Sequence, residues 1–318
     1  MAAEHGELAV SVVVPVFRSD PEILADLCAR VSRVLDGRGG THEIILVDDS
    51  GQTAHWERVR ALVRSRPRLR GLRLGRNFGQ HNALLAGIRA AKGAVIVTLD
   101  DDLQNRPEDI PALLDTLTQR QVDVVYGVPR QRGHGLWRNI GAWGARVLAS
   151  ASLGRGIAKI ASPFRAFRRD VRDGFSDFGG ADVMIDVLLS WSTSQFAAIP
   201  VEHDPRVRGR SGYSLRALLR LAVTMVIGMT SLPLRLSGLL GLAIMVLGCG
   251  LLAYVLIRYF GSSVHVAGFT FLASVLLIVS GAQLLSLGFI GEYISRLHLR
   301  SMGQPSYVIR DEADGGRA

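Results

Sequence analysis

Three carboxylates stand side by side at Asp100, Asp101 and Asp102, within the stretch TLDDDLQNRPE. They follow AVIVTL at 94–99, which reads as a buried strand. Adjacent like charges repel and resist desolvation, so the cluster needs something that offsets its cost. Asp100 and Asp102 flank a single residue, and in a loop both carboxylates can converge on one point. Oxygen ligands of this kind suit Mg2+ or Mn2+, ions that commonly also bind substrate phosphates. Gln104 can add a further oxygen. A metal-bridged diphosphate in turn points to a nucleotide donor. A second acidic pair, Asp48 and Asp49, closes the apolar run EIILV at 43–47 and can hydrogen-bond ribose hydroxyls or a base. A blander reading covers part of the first stretch: Asn105, Pro107 and Glu108 make a passable helix N-terminus. That reading leaves the three aspartates unexplained.

These side chains need a scaffold, and the spacing of apolar residues supplies one. Strands are expected at 9–17, 43–47, 69–74, 94–99 and 122–126, with helices at 21–35, 56–63, 79–91 and 107–118 between them. Such alternation predicts an α/β fold built on a doubly wound, mostly parallel sheet. Ligands of these sheets bind beyond the carboxyl ends of the strands. Residues 15–17, 48–49 and 100–102 would then share one edge. No GxGxxG or GxxxxGK[ST] follows the first strand, so dinucleotide and P-loop chemistry lack support. Further on, helical spacing marks 138–153 and 183–191, and strands are expected at 161–169 and 196–201. The tail 311–318 reads as disordered.

The composition changes sharply along the chain. The 318 residues are 48% hydrophobic and carry a net charge of +9. Charged and apolar residues mix up to about Ser231, and then charge nearly vanishes until Glu292. Twenty-two uncharged residues separate Arg235 from Arg258, and a second uncharged run covers 259–291. A bilayer crossing takes about 20 apolar residues. The expectation is a transmembrane hairpin with spans at about 235–258 and 266–291. Arg216, Arg220, Arg235, Arg296 and Arg300 flank it, against Arg258 alone in the connecting loop. By the positive-inside rule both ends face the cytoplasm, and MAAEHGELAV shows no secretory signal. The organisation expected is a cytoplasmic catalytic domain (1–213), an amphipathic juxtamembrane helix (214–231), the hairpin (232–295) and a cytoplasmic tail (296–318). On periodicity alone the juxtamembrane helix could equally face a core; its place before the first span favours the interface. Cys28 and Cys249 fall in different domains and cannot sensibly pair, which fits a reducing compartment. Two spans make nucleic acid the weakest of the partners that a basic chain could serve.

SVVVPVF (11–17), RNFGQHNALLAGI (76–88), LDDDLQNRPEDIP (99–111), SLPLRL (231–236) and GFIGEYISR (288–296) together resemble the polyprenyl-phosphate glycosyltransferases. That branch of the large inverting family has the GT-A nucleotide-sugar fold. It includes dolichyl-phosphate mannose synthases and undecaprenyl-phosphate glucosyl and aminoarabinose transferases, and these stretches look most similar to the last group. The resemblance spans nearly the whole chain. It implies that Asp100, Asp102 and Gln104 hold Mg2+ or Mn2+ and that Asp101 lies against the nucleotide. Pro15, Phe17 and Asp49, with Asp48 beside them, would line the base and ribose site. Arg206 matches an arginine used on the donor diphosphate, while Arg130 and Arg138 match positions near the acceptor phosphate. Guanidinium forks suit phosphate oxygens.

Two departures matter. The family pattern R-x-x-G-x-S-K-Y reads Arg206, Gly209, Ser211, Gly212, Tyr213 here, so its lysine is missing, and Arg208 or Arg210 could supply the charge. Some relatives carry an acidic residue just before the FR of ASPFRAFRR, where Ser162 and Pro163 stand here. A phosphate acceptor is already an anion and needs no general base. The resulting expectation is a multi-pass enzyme of the cytoplasmic membrane. It would move a hexose or pentose from a UDP- or GDP-sugar to a polyprenyl phosphate, with inversion. Gln283 within the second span needs a partner, which makes a homo-oligomer plausible. The alternative is a non-catalytic membrane protein that binds nucleotide sugar or assists lipid flipping; retained Asp100, Asp102, Gln104 and Arg206 argue against it. A processive polysaccharide synthase would need more spans and a QxxRW motif, which the chain lacks.

Overall fold

The computed structural model describes residues 9–130, 156–180, 183–204, 268–303 and 305–316, with isolated positions at 243, 246, 250 and 257. Contacts divide the chain into two units. Met1–Gly212 with Gly303–Ala318 forms one, and Tyr213–Met302 the other.

The first unit is built on an eight-stranded sheet in the order β7-β5-β6-β4-β1-β2-β3-β8. The strands are β1 (Val10–Val16), β2 (His42–Asp48), β3 (Leu69–Leu74), β4 (Val95–Thr98), β5 (Val124–Pro129), β6 (Arg165–Arg168), β7 (Phe196–Val201) and β8 (Ile309–Asp314). β1 pairs in parallel with β2 and β4, β2 with β3, and β5 with β7. β6 runs against β4 and β5, and β8 against β3. The sheet is therefore mixed, where the sequence predicts one mostly parallel. β1 is five valines among seven residues and is buried throughout, as a central strand covered on both faces must be. Its side chains alternate between two cores. Val12, Val14 and Val16 pack with Leu24, Leu27 and Trp56, and Val13 packs with Leu84, Leu85 and Leu188.

Helices cover both faces: α1 (Pro21–Gly37), α2 (Thr53–Arg64), α3 (Gln80–Ala90), α4 (Ile110–Gln119) and α7 (Ile185–Ser192), with short α5 (Ile157–Ile160) and α6 (Arg169–Asp173) flanking β6. α1 starts where its sequence says it should. Asp20 accepts from Glu22 N at 3.0 Å, and Pro21 takes the first helical position. α3 lies close on the sheet because Gly87 has no side chain. A Cβ there would sit 2.4 Å from Val13 Cγ1 and 2.9 Å from Val47 Cγ2.

The tail corrects an expectation. Residues from 311 onward read as disordered, yet β8 extends the sheet through Asp314. The reason is tertiary: β3 offers a free edge, Trp56 Nε1 donates to Asp311 Oδ2 at 2.9 Å, and Gly75 N donates to Val308 O at 2.9 Å. An exposed acidic strand such as IRDEAD shows no apolar alternation that would announce it.

In the second unit, α8 (Gly268–Ser301) is a 34-residue helix. Leu272, Leu276, Leu284, Leu287, Ile294 and Leu297 are exposed along it. Among the described residues no helix is long and apolar enough to cross a membrane, and both expected spans fall partly outside those residues. Helical expectations at 138–153 and 214–229 lie outside them as well.

Candidate functional site

Register brings the chemistry to one edge. Val16 stands opposite Asp48 and Val13 opposite Thr98, so β1, β2 and β4 end together and deliver 17, 49 and 100 to the same rim. Leu99 N donates to Val13 O at 3.1 Å, which holds the exit of β4 against β1.

The three aspartates then part company. Asp101 turns back to the end of β1, where its Oδ2 accepts from Phe17 N at 3.3 Å and from the Ser19 hydroxyl. Burial pushes its carboxyl up, against those two hydrogen bonds, which pull it down. Asp100 Oδ1 accepts from Gln80 Nε2, in the first turn of α3, at 2.7 Å. Asp102 Oδ1 accepts from Gln104 N at 3.2 Å, closing a tight turn over Leu103. Leu103 adopts φ +57°, a left-handed conformation that costs a branched residue energy. Its buried side chain, packed in the core, holds it there.

Beyond the turn the loop is stitched to the end of β7. Asn105 bridges His203, Asp204 N donates to Gln104 O at 2.9 Å, and Arg106 grips Asp204 with two bonds of 2.7 and 2.6 Å. That ion pair holds the Asp204 carboxyl below its usual range. Asn105 thus forms a bridge rather than a helix cap; Pro107–Asp109 is a 3-10 turn that leads into α4. Arg106 and Asp204 are 98 positions apart, and no local pattern pairs them.

A cavity of about 300 Å3 opens beside this loop. Asp100, Gln104 and Asn105 line it, as do Val128 and Pro129 at the end of β5. Lys159, Ala161, Ser162 and Pro163, ahead of β6, and His203, after β7, complete the lining.

The expected nucleotide residues fare unevenly. Phe17 is half exposed just past β1, with the Arg18 guanidinium 5.2 Å from its ring centre. Pro15 is buried inside β1, opposite Val47. Asp48 is wholly buried, and its Oδ1 accepts from Ser50 N and faces His55 Nδ1, both at 3.0 Å. No surface of it is open to a nucleotide. Asp49 is also buried, and its two oxygens accept from Phe78 N at 2.6 Å and Gly79 N at 2.8 Å. It anchors the loop that opens α3. Arg130 stays exposed, ion-paired with Glu202 at 3.2 Å. Arg138 and Arg206 lie outside the described residues. Sequence reasoning missed Gln80, Ser19 and Lys159, which reach the rim only through the fold.

Residues 11–175, more than half of the chain, match the model of Glycosyl transferase family 2. The chain belongs to that family. This glycosyltransferase also matches the GtrB C-terminal hairpin over residues 232–297. Among solved structures it is similar to glucosyl-3-phosphoglycerate synthase from Mycobacterium tuberculosis in complex with Mg2+ and UDP. The TM-score is 0.52 at 18% identity, over 70% of this chain and 80% of that one. A complex of that synthase with Mn2+, UDP and phosphoglyceric acid gives 0.51 at 18%, over 70% and 78%. At such identity the likeness carries the GT-A-like α/β fold.

The glycosyltransferase's acidic loop fits a divalent cation. Asp101 is committed to β1, while Asp100 and Gln104 line one cavity with oxygen donors. Among the described residues no three His, Cys, Asp or Glu side chains converge on a metal site. Of the expected ligands Asp100 and Gln104 line the cavity, and a carboxylate and an amide oxygen, with substrate phosphate, are oxygen ligands of the kind Mg2+ takes.

Proposed function

We propose that this glycosyltransferase moves a sugar from a nucleotide-diphosphate sugar to a polyprenyl phosphate at the cytoplasmic face of a membrane. The observation that carries the donor side is the divided acidic loop, which leaves Asp100 and Gln104 at a cavity while Asp101 returns to the end of β1, where Phe17 is half exposed. The acceptor side draws support from the match to the hairpin of GtrB, a polyprenyl-phosphate glucosyltransferase family. The two uncharged runs and the exposed leucines of α8 add to it. Asp100, Asp102 and Gln104 would hold Mg2+ or Mn2+, which when bound supplies positive charge for the departing diphosphate. Arg206 would share that charge, and Arg130 and Arg138 would receive the acceptor phosphate. A phosphate oxygen of the lipid attacks the anomeric carbon as the bond to the nucleoside diphosphate breaks, and configuration inverts. The chain would lie in the cytoplasmic membrane as a two-span protein that can self-associate.

The test is a transfer assay. Purified protein in detergent receives undecaprenyl phosphate, Mn2+ or Mg2+ and a panel of labelled UDP- and GDP-sugars, with Asp102→Asn alongside. The expected outcome is label entering the organic phase, lost with EDTA and in the variant. Absence of transfer from every donor, despite measurable nucleotide binding, would favour a non-catalytic role.

A further inference from the structure

We propose that Lys159 binds a substrate phosphate in the cavity that Asp100 and Gln104 line, an assignment that rests on the function proposed above. Its place is fixed by the strand that delivers the acidic loop. Thr98, the last residue of β4, donates from its hydroxyl to Pro163 O at 2.6 Å, and two residues later the same strand yields Asp100. Ala161 N donates to Ile157 O at 2.9 Å, closing the single turn of α5 that carries Lys159, and the Thr98 bond ties the far end of the segment at Pro163. Lys159 is exposed, and it shares the cavity with Asp100 rather than facing away from it.

With a divalent cation on the acidic loop, the electrostatics would favour an anion. Val128, Pro129, Ala161 and Pro163 bring no charge to the lining, and apolar walls strengthen whatever charge interactions the cavity holds. A phosphate entering there meets the carboxylate of Asp100, which opposes it. The divalent cation proposed for the acidic loop reverses that sign on one side, and the Lys159 ammonium adds a second positive charge. Ser162 contributes a donor. Its Oγ accepts from Phe164 N at 3.3 Å, which leaves the hydroxyl hydrogen free to point elsewhere. Lysine also differs in kind from the chain's other cations: only Lys92 and Lys159 are lysine. An ammonium is a compact charge with three donors and can follow a phosphate oxygen without fork geometry. A cavity of about 300 Å3 has room for a sugar or a phosphate group.

Two phosphates could fill this role, the diphosphate of the donor and the phosphate of the acceptor. The experiment separates them with Lys159→Ala and Lys159→Arg in the full chain. One arm measures UDP and GDP binding with Mn2+ by calorimetry; the other measures KM for undecaprenyl phosphate in the transfer assay. Lys159→Ala should weaken one constant about tenfold or more, the range for losing one charged hydrogen bond. Lys159→Arg should restore most of it. The arm that moves names the phosphate. Both constants within about twofold of the parent protein, with the thermal midpoint unchanged, would overturn the proposal. If the parent protein transfers nothing to a polyprenyl phosphate, the acceptor reading falls. The nucleotide arm alone then decides Lys159, for or against.

Discussion

Asp49→Asn tests how the rim is held in shape. The native carboxylate accepts from Phe78 N and Gly79 N, one oxygen each, at 2.6 and 2.8 Å. Gly79 caps α3 with φ +92° and without a side-chain bond of its own, so Asp49 pins the start of that helix from the end of β2. An asparagine keeps one acceptor and turns an NH2 toward the other N–H. Gly79 N keeps a second acceptor, Asn77 Oδ1 at 2.9 Å, so the asparagine oxygen serves Phe78 N and the cost is that of losing one hydrogen bond to a charged group, about 1.5–3 kcal/mol. The change also has a benefit, because burial raises the Asp49 carboxyl above its ordinary value of 3.8 despite the two bonds. Desolvation outweighs the hydrogen bonds, and removing the charge relieves part of that penalty. The net cost should be about 1–2 kcal/mol, lowering Tm by about 2–8 °C for a unit of this size. A group whose folded pKa is raised stabilises the native state at low pH and loses that contribution as pH rises through the raised value. The deficit of Asp49→Asn should therefore narrow as pH climbs from near 3.8 toward neutrality. Thermal unfolding of the full chain in detergent, followed by intrinsic fluorescence across that range, measures both. A deficit of under about 1 °C, or one that widens with pH, would refute the account of Asp49 as a buried anchor.

Two further outcomes follow from buried groups elsewhere. Arg165, 1% exposed, pairs with Asp186 and donates to Thr98 Oγ1 at 3.0 Å, while Tyr126 donates to Asp186 at 2.9 Å. Arg165→Met strands a carboxylate only 15% exposed and should cost about 3 kcal/mol, seen as a lower thermal midpoint and poor expression; adding Asp186→Leu should recover a substantial part, and additive losses would disprove the pairing. Cys28, on the buried face of α1, has its thiol pushed up to about 12 by burial. At pH 8 only about one thiol in ten thousand is then ionised. In a Cys249→Ser background, Ellman's reagent should react with it only after unfolding, and rapid reaction in the native protein would contradict that burial.

Local sequence carried much of this architecture. The five leading strands, the helices between them and the capping of α1 are written in apolar spacing, Asp20 and Pro21, because a segment buried on known faces must show that burial in its own residues. β6 was legible only as a broad run at 161–169. Its antiparallel placement between β4 and β5 was not, since direction depends on connections rather than on side chains. β8 escaped notice because its support comes from Trp56 and from the open edge of β3.

The site divides along the same line. The sequence alone determined that three carboxylates would leave a strand end, that a second acidic pair would leave another, and that two uncharged runs follow. It also marked Phe17 and Gln104. The tertiary structure decided where each carboxylate is placed. Asp48 and Asp49 turn inward to a histidine and to backbone N–H groups, and Asp101 returns to β1. Asp100 remains at a cavity with Gln104 and Lys159. Residue type fixes what a carboxylate can do, but its surroundings fix what it does. Those surroundings come from segments tens of residues away, which no local pattern records.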